Sequence, residues 1–264
     1  MFRKSLHLKR IAIAALACTV LTPASTSLAA PAAAPASAPL STGDQIATLL
    51  DAGKPIEAFA LAQQKSGEGD PAGDFALGWF YDLGEHITAD KAKALGYYRK
   101  CADAELSPCQ WRLGVMLDTG DGVAADPAAA FGWISKAAAQ NNAGAQASLA
   151  VLYAMGRGTA IDYAKALDLY KTAAKNGQAH GFYGAGVMYL DGQGVPKDGE
   201  EAAAWFSVGA AVGDQQAKAV ADMLLKDQKT EVLDRVAARA TAIYSDYVGP
   251  VTAPPPPPEA SKAP

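Results

Sequence analysis

The residues best suited to covalent chemistry in this chain are two cysteines, Cys101 and Cys109, with seven residues between them. In an oxidising compartment such a pair can form a disulfide bond, and the alternative is two buried free thiols. A metal site is not expected, because His86 and His180 lie far apart in the sequence and lack the spacing of metal ligands. No cofactor is expected either.

Motifs of well-known catalytic sites do not occur in the sequence. The patterns S-x-x-K and K-T-G of active-site-serine enzymes are absent, and so are G-x-S-x-G, a Walker loop and H-E-x-x-H. Three G-x-G pairs lack a third glycine and a preceding strand, which predicts turns and not phosphate-binding loops. These pairs are Gly120/Gly122, Gly156/Gly158 and Gly192/Gly194. We therefore expect a protein that is not an enzyme.

The glycine pairs belong to a pattern that recurs every 36 residues. Each copy has a small apolar pair, a glycine, an aspartate and a large apolar pair. The first pairs of the four copies are Leu77-Gly78, Leu113-Gly114, Leu149-Ala150 and Ala185-Gly186, and the glycines are Gly84, Gly120, Gly156 and Gly192. The aspartates are Asp90, Asp126, Asp162 and Asp198. The large apolar pairs are Tyr97-Tyr98, Trp133-Ile134, Leu169-Tyr170 and Trp205-Phe206. A fixed period of this length is typical of stacked helical repeats.

Each copy predicts two helices joined by a short loop. The first glycine after the apolar pair suits the left-handed end of a helix, and the aspartate suits the start of the next helix, where it accepts from free backbone N–H groups. Gly78, Gly114 and Gly186 lack a side chain where a neighbouring helix must approach closely. One such pair cannot bury its apolar face alone, so the pairs must stack.

The unit resembles the Sel1-like repeat, a relative of the tetratricopeptide repeat. Residues 181–213 match its pattern at Ala185-Gly186, Tyr189, Gly192, Gly194-Val195, Asp198, Ala202 and Trp205, and residues 145–177 match at Ala145, Leu149, Tyr153, Gly156, Gly158, Asp162, Lys165-Ala166 and Ala173-Ala174. In the first unit His86 replaces the second glycine.

The resemblance implies an all-α fold, an α-solenoid of about four helix-pair repeats with degenerate helical caps. It also implies a scaffold or adaptor without catalytic residues. Cysteine-rich relatives carry a bridge at the same cysteine interval, which implies a disulfide between Cys101 and Cys109. A β-lactamase-like hydrolase of that cysteine-rich type is the enzymatic alternative.

The predicted organisation has four parts. They are a signal peptide at residues 1–29, an Ala/Pro-rich linker at 30–43, the solenoid at 44–248 and a Pro-rich disordered tail at 249–264. Within the solenoid we expect repeats at about 70–105, 106–141, 142–177 and 178–213, with caps at 44–66 and 214–248. The second cap is expected to end in a long helix from about Thr230 to Val248.

The N-terminus predicts export, since basic residues precede a short apolar run and Ser27-Leu28-Ala29 fits a cleavage site. The periplasm is the expected compartment. Cys18 after Ala15-Leu16-Ala17 resembles a lipidation signal, so an outer-membrane lipoprotein for envelope or exopolysaccharide assembly is an alternative, and secretion is another. The formal net charge is −4 and more negative without the basic N-terminus, which argues against nucleic-acid binding.

A binding surface is expected on the inner face of the solenoid, which is lined by the first helix of each repeat and faces away from the buried leucine. Its partner would be a protein or peptide, with a polysaccharide as the alternative. Aromatic rings give such a surface a large contact area, although the same rings could instead pack between repeats. The candidate residues are Phe75, Trp79, Asp82, Trp111, Val115, Asp118 and Tyr183.

Overall fold

The computed structural model describes residues 40–249, and this part of the chain forms twelve α-helices without strands. The predicted signal peptide, Cys18, most of the Ala/Pro-rich linker and nearly all of the Pro-rich tail lie outside the described residues. The chain divides into two compact units that meet between Gln110 and Trp111, and each unit is described by itself. Among residues 40–249, no helix is long and apolar enough to cross a membrane.

The first unit contains a cap and the first repeat. Its helices are α1 (Thr42–Asp51), α2 (Pro55–Gly67), α3 (Pro71–Leu83) and α4 (Lys91–Asp103), followed by the beginning of α5 (Ser107–Thr119). Helix α3 packs against α2 on one side and α4 on the other. The cap starts earlier than expected, because the Ser41 side chain accepts from the backbone N–H of Asp44 and begins α1 within the predicted linker.

The second unit contains the remaining repeats and a C-terminal cap. Its helices after α5 are α6 (Pro127–Ala139), α7 (Ala143–Met155), α8 (Tyr163–Lys175), α9 (Ala179–Asp191), α10 (Gly199–Ala211), α11 (Gln215–Leu225) and α12 (Thr230–Tyr247). Each helix from α6 to α10 packs on the next, and α12 lies mainly on α10. The long terminal helix expected from the sequence is therefore confirmed.

The helix ends follow the sequence pattern. Asp90, Asp126, Asp162 and Asp198 each accept from backbone N–H groups at the start of α4, α6, α8 and α10. The four glycines that follow the first helices have φ between 66° and 75°, a conformation that residues with a side chain seldom adopt. These eight positions fix where each helix of a repeat begins or stops.

The core is made by large side chains of the second helices lying on the small residues of the first. A Cβ on Gly78 would come within 2.7 Å of the Tyr98 ring, which is fully buried. In the second unit the buried ring of Phe206 lies against Gly186 in the same way. A Cβ on Gly114 would come within 2.5 Å of Ile134, so the close approach predicted at Gly78, Gly114 and Gly186 is confirmed.

Candidate interaction surface

Two of the predicted surface residues are buried, and the expectation that they line an open surface is wrong. Phe75 is only 6% exposed and packs against Tyr98 with ring centroids 6.1 Å apart. Asp82 is 4% exposed, accepts from the Tyr98 hydroxyl at 3.2 Å and pairs with Lys91 at 2.6 Å. Since a buried carboxylate requires such partners, Asp82 serves the packing of α3 on α4.

Trp79 keeps part of its ring on the surface of the first unit. The side chain is half-buried and meets the adjacent Phe80 edge-on at 5.2 Å. Within residues 40–249 no hydrogen-bond acceptor is found for its indole N–H. This half-exposed ring with a free donor is the part of the predicted surface that the first unit retains.

In the second unit, Trp111 is half-buried and joins two repeats. Its indole N–H donates to the Ser148 hydroxyl at 2.9 Å. Its ring lies over Gly144, where a Cβ would approach to 2.9 Å. One face of the ring therefore packs between α5 and α7, and only the rest of its surface is accessible to a partner.

Asp118 is paired with Arg157, so it is not a free acid at the edge of the predicted surface. The Nε of Arg157 lies 3.0 Å from its Oδ1, and Nη2 contacts Oδ2. Arg157 stands in the loop after α7, so the pair ties that loop to the end of α5. A forked guanidinium–carboxylate contact of this kind fixes geometry as well as charge.

Val115 belongs to an apolar row that crosses the second unit, which we call the apolar stripe. Val115, Val151, Val187 and Met223 stand 36 residues apart on α5, α7, α9 and α11. The valines are half-buried and Met223 is 65% exposed. Helices α7, α9 and α11 contact one another in turn, and packed helices lie about 8–10 Å apart. Sequence reasoning missed Met223, although the 36-residue register indicates it.

Tyr183 borders the apolar stripe on α9. Its half-buried ring meets Phe206 at 5.5 Å in an edge-to-face contact, and Val187, Leu190 and Leu224 pack around the same cluster. One residue further, Gly184 leaves room for the ring of Tyr170. Burial raises the pKa of Tyr170 to about 12, so this hydroxyl stays protonated and acts as packing.

The two cysteines meet where the first repeat turns into the second. Cys101 near the end of α4 and Cys109 at the start of α5 have Cα atoms 5.7 Å apart, with their sulfur atoms at bonding distance. Both side chains are fully buried. The geometry fits a structural disulfide, and the bond itself stays a prediction.

Buried polar residues recur at the 36-residue spacing, and their burial was not predicted from the sequence. Asp74, Gln110 and Gln146 are each 2–3% exposed. The Ser66 hydroxyl and the Lys100 ammonium donate to Asp74, Gln110 donates to the Ala102 carbonyl, and Asn176 donates to Gln146. These contacts satisfy turns between repeats and are structural.

One open cleft of about 340 Å³ lies in the first unit, lined by Phe59, Tyr81, Ile87, Thr88, Ala89, Asp90 and Lys93. Its charged groups are paired, since Lys93 lies 3.3 Å from Asp90 and above the Tyr81 ring. Backbone N–H groups of α4 lower the pKa of Asp90. An acid with a lowered pKa is a helix cap and not a proton donor near neutral pH.

Groups of acidic, histidine and cysteine side chains able to hold a metal ion are not found between residues 40 and 249. His86 stands in the loop after α3 and His180 on α9. Each titratable residue with a lowered pKa is an acid at a helix start or in an ion pair. These acids therefore stabilise helix starts and ion pairs within the described residues.

Stacked helix pairs with a shared register define an α-helical repeat protein. The model of the Sel1 repeat matches residues 71–105, 107–142, 143–178 and 179–214, more than half of the chain. The chain belongs to the Sel1 repeat family. Proteins of this family are commonly scaffolds for protein interaction and generally lack catalysis.

Solved structures of similar chains agree with this assignment. A Sel1 repeat protein from Oxalobacter formigenes is 31% identical, with a TM-score of 0.64 over 78% of this chain and 83% of its own. A protective antigen of uropathogenic Escherichia coli strains with the same repeat fold is 23% identical, with a TM-score of 0.69 over 76% of this chain. This chain spans 44% of the length of that antigen. No functionally curated protein matches the chain.

Proposed function

We propose that this chain is an exported scaffold that binds a protein or peptide partner along the apolar stripe of its second unit. The observation that carries the proposal is the row Val115, Val151, Val187 and Met223, which presents one apolar residue on each of four helices. Met223 has no role in covering a core, because 65% of it is exposed. Contiguous apolar patches that stay accessible mark interaction sites, and this row is half-buried at its valines and exposed at Met223.

The chemistry of the helices around the stripe favours an apolar partner segment. Helix α7 carries no charged residue, and α9 carries none between His180 and Asp191. The ion pairs on the helices of the stripe, Arg157 with Asp118 and Lys218 with Asp222, are satisfied internally. Binding there would release water from apolar surface. Tyr183 would be the aromatic anchor of the part of the stripe formed by α9 and α11, which we call its Tyr183 end.

A non-enzymatic role is supported by how the polar residues are used. Asp74, Asp82 and Asp118 each bind a lysine or arginine of the same unit. None is left beside a second acid in a cleft, which is the arrangement that acid–base hydrolysis needs. We therefore rank the β-lactamase-like alternative last.

Export is supported by the N-terminal pattern and by the cysteine pair. A buried disulfide between Cys101 and Cys109 would be stable only in an oxidising compartment such as the periplasm. If Cys18 is lipidated, the same scaffold would be tethered to the outer membrane and act in envelope or exopolysaccharide assembly. The intact mass of the native protein separates these two forms.

Partner capture by two matched variants tests the proposal. Val187→Asp places a charge on the stripe, and Ala238→Asp places one on the exposed side of α12. We expect Val187→Asp to lose a partner that co-purifies with the native chain, while Ala238→Asp retains it and both keep the native circular dichroism spectrum. Equal capture by both variants would contradict the proposed surface.

A further inference from the structure

We propose that the proline-rich segment 250–264 docks on the Tyr183 end of the apolar stripe in its own chain and competes there with the partner. The inference rests on the proposed function of the stripe and adds its regulation. The occupant is a named segment of this chain, whose residues Pro254 to Pro258 form an uninterrupted proline run.

The first support is where the chain leaves the second unit. Helix α12 ends at Tyr247, whose ring lies 5.0 Å from Trp205 and 6.3 Å from Phe182. Phe182 precedes Tyr183 on α9, so the tail starts beside the N-terminal half of the helix that carries the end of the stripe. Gly249, the last described residue, has a φ of 142° that only glycine adopts readily.

The second support is reach. A polyproline segment extends about 3.1 Å per residue, so residues 250–264 can span roughly 45 Å. Two packed helices are about 20 Å thick. The tail is therefore long enough to pass from α12 around one helix pair and lie across α9 and α11.

The third support is chemical match. Polyproline segments bind grooves lined by aromatic and apolar side chains, and their stiffness keeps the entropy cost of binding low. The Tyr183 end of the stripe offers such a lining, with Tyr183 and Val187 half-buried and Met223 exposed. The run from Val251 to Pro258 is uncharged, like α9 between His180 and Asp191. Burying neutral groups against this part of α9 carries no charge-desolvation penalty, and the charged residues of α11, Lys218 and Asp222, pair with each other at 2.7 Å.

Paramagnetic broadening tests the inference directly. A nitroxide is attached to the full exported chain at Ala260→Cys, with the Cys101–Cys109 pair oxidised. The readout is the methyl signals of Val187 and Met223. A matched chain with the same label carries glycine and serine in place of Pro254 to Pro258. A second control keeps the prolines and has Glu259→Gln and Lys262→Gln.

We expect loss of the Val187 and Met223 signals in the native tail and in the charge control, recovery in the proline-substituted chain, and no change on dilution. Equal signals in all three chains would overturn the inference. Loss that disappears on dilution would overturn it too, because the tail would then bind a second copy. Partner capture by Ala238→Asp but not Val187→Asp would leave the proposed function standing in either case.

Discussion

Arg157 binds Asp118 across 39 positions of sequence, with its Nε 3.0 Å from the Asp118 Oδ1. The arginine comes from the loop after α7 and the aspartate from the end of α5. The Asp118 side chain is 13% exposed and that of Arg157 is 38% exposed. The two residues therefore fix the loop after α7 to the end of α5 and hold consecutive repeats of the second unit in register.

A double-mutant cycle measures the Arg157–Asp118 contact. We expect Arg157→Ala and Asp118→Asn to show a coupling of about 1 kcal/mol in urea unfolding, because the carboxylate is largely shielded from water. The matched pair is Lys218 with Asp222, at 2.7 Å but more than half exposed on both sides, where we expect coupling near zero. Similar coupling in both pairs would show that Arg157 does not hold the repeats.

Reduction of the cysteine pair is expected to destabilise the first unit. Closing a loop this short restricts the unfolded chain by about 2–3 kcal/mol, and Cys101 and Cys109 are both buried. The denaturation midpoint of the native chain should therefore fall on reduction. The Cys101→Ala/Cys109→Ala chain should be less stable and insensitive to reductant. A native chain whose midpoint ignores reductant would mean that the thiols are free.

His86→Gly is expected to stabilise the chain. His86 has a φ of 68°, a region that costs a residue with a Cβ about 1 kcal/mol. Gly194 holds the equivalent place in the fourth repeat, with a φ of 73° and a Cβ that would come 2.9 Å from Tyr163. Gly194→Ala should therefore destabilise, and thermal unfolding of the two variants should shift in opposite directions.

Acid should weaken the helix starts. The pKa of Asp162 is lowered, first by the backbone N–H of Lys165 and then by the lysine side chain. A carboxyl whose pKa is lower in the folded state stabilises the fold above its unfolded pKa of about 3.9, and this contribution is lost as pH falls through the folded value. Asp162→Asn keeps a cap without a titrating group, so its stability should fall less between about pH 5 and about pH 3. If the free energy of unfolding of Asp162→Asn fell with pH as steeply as that of the native chain, the Asp162 carboxylate would not stabilise the start of α8.

Local chemistry made the fold readable from the sequence. A glycine that ends a helix and an aspartate that begins one act on the backbone close to them in the sequence. Gly84 and Asp90 therefore predict a loop whatever packs around them. The shared 36-residue spacing then fixes which helices form pairs. The early start of α1 escaped because Ser41 lies in a segment whose composition is that of a linker.

The surface was harder to read, because exposure depends on what packs against a helix. Phe75 and Trp79 stand on the same side of α3 by sequence, yet Tyr98 covers only Phe75. Asp82 is acidic and was expected at the surface, but its carboxylate is buried because Lys91 and the Tyr98 hydroxyl bind it. Met223 lies in a degenerate cap that continues the 36-residue register without the glycine loop, and the candidate residues were taken from the repeats alone.

Site-specific photo-cross-linking tests whether a partner binds along the apolar stripe. A benzophenone side chain replaces Met223 on the stripe or Ala238 on the outer side of α12, in the exported chain in its native envelope. We expect one discrete adduct with a partner from position 223 and none from position 238. Adducts from both positions, or from position 238 alone, would contradict binding along the apolar stripe.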